Sequence, residues 1–272
     1  MRTLRSLSRR HAVATGLILG AGGRRALAEA AAADDPWPSL AAQIFEGRSM
    51  ADGGSVLTIA APYRAEDAAI VPITLHNVLP DGDQRQIARV TMVIDHNPSP
   101  LAAEFTVGQN SGVRTISTRV RVDSYTNIHA VAALADGTLV DVQRFVKAAG
   151  GCSAPAAKQE TDAIPLGTMR FRQFPATPGA ATREAQLMIR HPNYSGMQMD
   201  QITRLYVPAH FVSSVRIWQG DDLLLGITSG ISISENPEFR FDYRPNGAAA
   251  FRAEVEDSEG KMFKESWSAT RV

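Results

Sequence analysis

The chain has 272 residues, 28 Lys plus Arg against 28 Asp plus Glu, 44% apolar residues and one cysteine. A net charge of zero gives no whole-molecule attraction to nucleic acid or an anionic membrane, and no apolar run is long enough to span a bilayer. A single thiol makes neither an internal disulfide nor a multi-cysteine metal site, while the length allows two domains with real cores.

Residues 1–30 have the layout of an export signal. Arg2, Arg5, Arg9 and Arg10 form a basic segment, Ala12 to Gly23 is a short apolar, glycine-rich stretch, and Ala26-Leu27-Ala28 is an A-x-A cleavage pattern. Ser8-Arg9-Arg10 reads as a twin-arginine signal, the type that exports folded proteins, with the general secretory route as its alternative. Cleavage near Ala28 and a periplasmic destination follow as expectations.

The mature chain reads as all-β after one short helix. Ser39 is a candidate N-cap before Leu40-Ala41-Ala42-Gln43-Ile44. Val90, Met92 and Ile94 alternate with Arg89, Thr91 and Asp95, and Val120 and Val122 alternate with Arg119, Arg121 and Asp123. Period two with charge on one side predicts strands with one face on a core and one in water, so Arg119 and Arg121 are expected to be solvated. Asp136-Gly137 separates two apolar runs and predicts a hairpin.

Residues 148–166 break the pattern. From Lys147 to Ala163 no large apolar residue occurs, so the stretch lacks surface to offset its ordering entropy and is expected to be a flexible linker. Strand patterns then resume. Phe239, Phe241 and Tyr243 alternate with Arg240, Asp242 and Arg244; Phe251, Ala253 and Val255 alternate with Arg252, Glu254 and Glu256. Gly220-Asp221 and Asp257-Ser258-Glu259-Gly260 are turn signals. Many short strands with turns at this spacing predict two immunoglobulin-like β-sandwich domains, over residues 34–147 and 167–272.

Cys152 follows Gly150-Gly151 inside the linker. A covalent carrier needs a reactive thiolate with room to enter a partner's active site. Two glycines remove side-chain bulk and widen backbone freedom, which suits Gly150 and Gly151 to act as a swivel. Among glycine, serine, alanine and proline the thiol is expected to be exposed, with its linker reaching at most about 50 Å when extended.

Several segments resemble a known family. Ala61-Pro62, Ile70-Val71-Pro72-Ile73, His96-Asn97-Pro98-Ser99-Pro100, Ile116 to Arg121 and Gly150-Gly151-Cys152 look like SoxY. Ile189-Arg190-His191-Pro192, Ser195-Gly196 and Ser234 to Phe241 look like SoxZ. Together they resemble a fused SoxY–SoxZ carrier of the quinoprotein dehydrogenase-associated SoxYZ-like group. The resemblance implies two immunoglobulin-like sandwiches packed on each other and covalent cargo attachment at Cys152. It implies as partners the periplasmic enzymes of sulfur oxidation, or a quinoprotein dehydrogenase and cytochrome c system. Here Cys152 is followed by Ser153-Ala154-Pro155 and a second domain, where the family has Gly-Gly and a chain end.

No catalytic residue, cofactor or metal site is expected. His76, His96, His129, His191 and His210 are scattered without metal-ligand spacing and read as surface or turn histidines. Gly-x-Ser-x-Gly, phosphate-loop and dinucleotide fingerprints do not occur.

Overall fold

A computed structural model describes residues 35–80, 82–155 and 164–269. The export signal of residues 1–30, its twin-arginine motif and its cleavage position lie outside the described residues, as does the middle of the expected linker, 156–163. No helix among the described residues is long and apolar enough to cross a membrane.

Among the described residues one helix, α1 (Trp37–Ile44), precedes the strands. It starts two residues before the expected Ser39 cap. Pro36 occupies the N-cap position without a side-chain bond, and proline's fixed φ suits a helix start.

Among the described residues fifteen strands follow. The first half gives β1 (Ala51–Asp52), β2 (Leu57–Ala60), β3 (Val71–Asn77), β4 (Ile87–Ile94), β5 (Leu101–Val107), β6 (Thr115–Val120), β7 (Thr126–Leu134) and β8 (Leu139–Val146). The second gives β9 (Met169–Gln173), β10 (Arg183–Ile189), β11 (Val212–Gln219), β12 (Asp222–Ser229), β13 (Glu238–Tyr243), β14 (Ala250–Asp257) and β15 (Met262–Ser268). They form two immunoglobulin-like β-sandwiches, as the alternation and turn spacing indicate. The turns fall where the sequence places them. Gly137 (φ 87°), Gly220 (φ 60°) and Gly260 (φ 80°) take left-handed conformations that favour glycine. Asp136 accepts the Thr138 amide at 2.8 Å, which closes the β7–β8 hairpin.

Both sheets run through both halves. The nine-stranded sheet has the order β1-β8-β7-β4-β5-β12-β11-β14-β15, and the six-stranded sheet β2-β3-β6-β13-β10-β9. The halves join by antiparallel pairing of β5 with β12, from Leu225↔Val107 to Ser229↔Ala103, and of β6 with β13 at Arg240↔Ser117 and Phe241↔Ile116. Edges that separate sandwiches would leave unpaired are thereby hydrogen-bonded. One continuous apolar cluster fills the space between the sheets, from Val56 and Leu75 in the first half to Phe239, Phe251 and Val255 in the second. The aromatic alternation in the second half is the core face: Phe239, Phe241, Tyr243 and Phe251 are buried, and Phe171 lies 4.8 Å from Phe251 and 5.2 Å from Trp267 between ring centroids.

Three expectations of exposure fail. Arg121 is 1% exposed, His129 1% and His191 0%. In each case a segment distant in sequence covers the residue. Cys152, expected to be exposed, is buried as well.

Candidate functional site

Cys152 is buried, with 0% of its surface exposed. The described part of the supposed linker, up to Pro155, is therefore not free. After β8, Ala148 is buried and the chain turns back along the end of β6. The Gly150 amide donates to the Asp123 carbonyl at 2.7 Å and the Gly151 amide to the Val122 carbonyl at 3.0 Å. The two glycines differ in role. Gly150 has φ 76° and open space where a Cβ would stand. At Gly151 a Cβ would lie 2.0 Å from the Ala68 carbonyl oxygen and 2.7 Å from that of Val122, so only glycine fits there.

The second half closes over the thiol. The Ser195 hydroxyl donates to the Cys152 carbonyl. Ser195 is held by Gln198, whose Oε1 accepts the Ser195 amide at 2.9 Å. Arg121, the largest fully buried side chain, joins the two halves. Its Nη1 donates to the Gly151 carbonyl at 3.4 Å and its Nη2 to the Asn193 carbonyl at 3.2 Å. Asn97 fixes the arginine's own backbone. Its Nδ2 donates to the Arg121 carbonyl at 2.8 Å and to Ser232 Oγ at 2.9 Å, while its Oδ1 accepts the Asp123 amide at 2.9 Å.

This environment silences the thiol. Burial pushes Cys152 up to about 12, with Asp123 adding to the rise and Arg121 opposing it. The thiolate fraction at neutral pH is then on the order of 10⁻⁵ in the closed form. Burial also holds the Arg121 guanidinium below its ordinary value, against the charges of Glu235, Cys152 and Asp67. A buried cation whose pull lowers the thiol's pKa is the feature that sequence reading missed. Arg121 alternates with valines, and that pattern describes a strand face without saying what lies on it.

Two histidine clusters lie elsewhere. On the nine-stranded sheet, His129 Nδ1 is 2.9 Å from Asp141 Oδ2 and its Nε2 is 3.5 Å from Asp95 Oδ2. Trp37 of α1 stacks on the ring with centroids 3.6 Å apart and planes 10° from parallel. Burial lowers the His129 pKa, but the two carboxylates outweigh it and raise the pKa to about 9. Beside the thiol loop, His191 follows β10, His210 precedes β11 and Asp257 ends β14. Spacing along the chain does not reveal this trio, because its members meet through the pairing of Val212 with Asp257 and the bridge of Tyr194 to His210.

Two family models match the chain in tandem. Sulfur oxidation protein SoxY matches residues 41–152 and Sulphur oxidation protein SoxZ matches residues 172–268. No curated protein matches. Among solved structures, the sulfur carrier protein SoxY from Chlorobium limicola f thiosulfatophilum is similar at 23% identity with a TM-score of 0.35, over 45% of this chain and 99% of that one. The chain thus carries a SoxY domain match followed in tandem by a SoxZ domain match, an order that supports a SoxY–SoxZ fusion.

Proposed function

We propose that the protein is a periplasmic sulfur carrier that holds a thiol-linked intermediate on Cys152 for partner enzymes and has no catalytic machinery of its own. One observation carries this reading: the chain's one thiol is the last residue of its SoxY match. The residue before it, Gly151, is held through its carbonyl by Arg121 at the joint between the halves.

A carrier with a buried thiol must open. Release of the Gly150–Cys152 segment breaks the bonds at the Gly150 and Gly151 amides and at the Gly151 and Cys152 carbonyls. At roughly 1 kcal/mol each, opening costs about 4 kcal/mol and populates the open form at about one part in 10³. Gly150, with open space around it, is the swivel; Gly151 is the part that unclamps. In the open form desolvation is relieved and the thiol pKa falls back toward its ordinary value. A docking partner that binds only the open form shifts this equilibrium.

Loading with thiosulfate joins the Cys152 sulfur to its outer sulfur. One S–S bond forms, the thiol proton leaves, and two electrons pass to an acceptor, so a partner oxidoreductase is required. In the closed form the adduct-free thiol is protected from adventitious oxidation by the same burial.

The test is mass spectrometry of the Cys152 peptide from protein isolated from its native host under thiosulfate load. A persulfide or thiosulfonate adduct is expected; a free thiol alone removes the carrier reading. Gly151→Ala sharpens it. The added Cβ cannot fit against the Ala68 carbonyl, so alkylation of Cys152 is expected to speed up by at least about tenfold, the equivalent of 1.4 kcal/mol.

The burial of Cys152 favours a second reading, a periplasmic adaptor of a quinoprotein dehydrogenase and cytochrome c system in which the thiol is incidental. Cys152→Ser separates the two. Loss of sulfur-dependent growth with the fold intact supports the carrier, and full activity supports the adaptor.

A further inference from the structure

We infer that His191, His210 and Asp257 form a binding site for one divalent transition-metal ion, a site independent of the carrier reading. One ring nitrogen of His191, one of His210 and one Asp257 carboxylate oxygen lie within 4.8 Å of one another. Individual separations are 3.0 Å for His210 Nε2 to Asp257 Oδ2 and 3.8 Å for His191 Nε2 to the same oxygen. Ligands about 2.0–2.1 Å from a tetrahedral zinc stand about 3.3 Å apart. The trio therefore needs to close by an ångström or so, within the reach of side-chain rotation at the half-open His210.

Each donor is oriented as a ligand would be. Asp257 Oδ1 accepts the backbone amides of Glu259 at 3.0 Å and Lys261 at 2.9 Å, which leaves Oδ2 facing the two imidazoles. His191 is fully buried and its Nε2 has no hydrogen-bond partner. An orphaned buried ring nitrogen destabilises the fold, and a metal removes that cost. The other nitrogen, Nδ1, is 2.9 Å from Asn193 Oδ1 and 3.1 Å from the Asn193 amide nitrogen, so it donates to the oxygen in one tautomer and accepts from the amide in the other. In the tautomer that donates from Nδ1, Nε2 presents its lone pair, and an outer-shell acceptor of this kind commonly accompanies a metal-bound histidine.

Two imidazoles and a carboxylate suit an ion of borderline softness such as zinc. Glu259 is exposed, and its Oε2 is 3.8 Å from His210 Nε2, at the solvent side where the ion would enter and where water or this carboxylate would complete the shell.

Full-length, untagged protein stripped with chelator is titrated with Zn²⁺ by calorimetry and with Co²⁺ by visible absorption. One equivalent is expected to bind, with Co²⁺ giving the absorption of a low-symmetry nitrogen–oxygen site. His210→Ala, at the more exposed position, is expected to weaken Zn²⁺ binding by about 100-fold or more while circular dichroism stays unchanged. Cys152→Ser is expected to bind as the parent does, which keeps this result separate from the fate of the carrier. Absence of saturable binding, or equal binding by His210→Ala and the parent, overturns the site; if His210→Ala misfolds, the same comparison with Asp257→Asn decides.

Discussion

The two halves each bury a histidine beside carboxylates, and they drive the two residues in opposite directions. His129 has a carboxylate at each ring nitrogen and the face of Trp37 over the ring, and its pKa rises to about 9. His191 is equally buried, but it faces His210, with the shared Asp257 oxygen 3.8 Å away. Burial comes first and the neighbouring imidazole second in pushing it down to about 4. Burial alone disfavours charge on any histidine. The number and distance of carboxylates decide whether it stays charged. The first cluster is a charged clamp that ties α1 to the sheet; the second is a neutral nitrogen without a partner, beside the loop that covers the thiol.

The largest effect should come from removing the clamp's cation. Asp95 is 5% exposed and neither of its carboxylate oxygens has a hydrogen-bond partner, so His129→Gln strands a buried charge. A loss of about 3–5 kcal/mol at neutral pH is expected from urea unfolding. An unchanged midpoint would show that His129 is neutral and that the contrast with His191 is empty.

The pH dependence separates the two by sign. The folded pKa of His129 lies above its unfolded value of 6.5. Its stabilisation is complete below about pH 6.5 and is lost as pH rises through about 9, a change of about 3 kcal/mol. His129→Gln should flatten that alkaline decline. His191 behaves in reverse. Its folded pKa lies below 6.5, so the unfolded chain takes up a proton first and stability falls as pH drops from about 6.5 to 4, again by about 3 kcal/mol. In chelator, His191→Gln should reduce that acid decline, although part of it belongs to carboxylates. Histidine NMR titrations give the same contrast residue by residue.

The smallest effect concerns the lid on the clamp. Trp37→Ala removes the stacked ring but leaves both carboxylates, so about 1–2 kcal/mol should be lost. Limited proteolysis between α1 and β1 should accelerate. Insensitivity to this change would mean that α1 is held by other contacts.

The strands and turns were legible in the sequence because they are local. Phe239-Arg240-Phe241-Asp242-Tyr243 alternates and is a strand with its aromatics inward; Asp136-Gly137 and Gly220-Asp221 close hairpins. Arg121 was misread for the same reason. Its alternation with Val120 and Val122 describes a strand end correctly, but a return segment of the second half lies over it, where the Arg121 amide meets the Ser232 carbonyl at 2.7 Å. The thiol's burial was illegible in a segment of small residues, since glycine and alanine suit an exposed arm and a close-packed turn equally well.

By itself the sequence determined the β-rich class, the division into two halves and the position of the single thiol, because side-chain periodicity and turn chemistry act over a few residues. Tertiary structure alone decided that both sheets run across the joint, that Cys152 is shut beneath Arg121 and Ser195, and that three ligand-type side chains, from just after β10, just before β11 and the end of β14, converge. Those outcomes depend on which distant segment comes to lie against which, and low-dielectric burial then sets the charge state of every group caught between them.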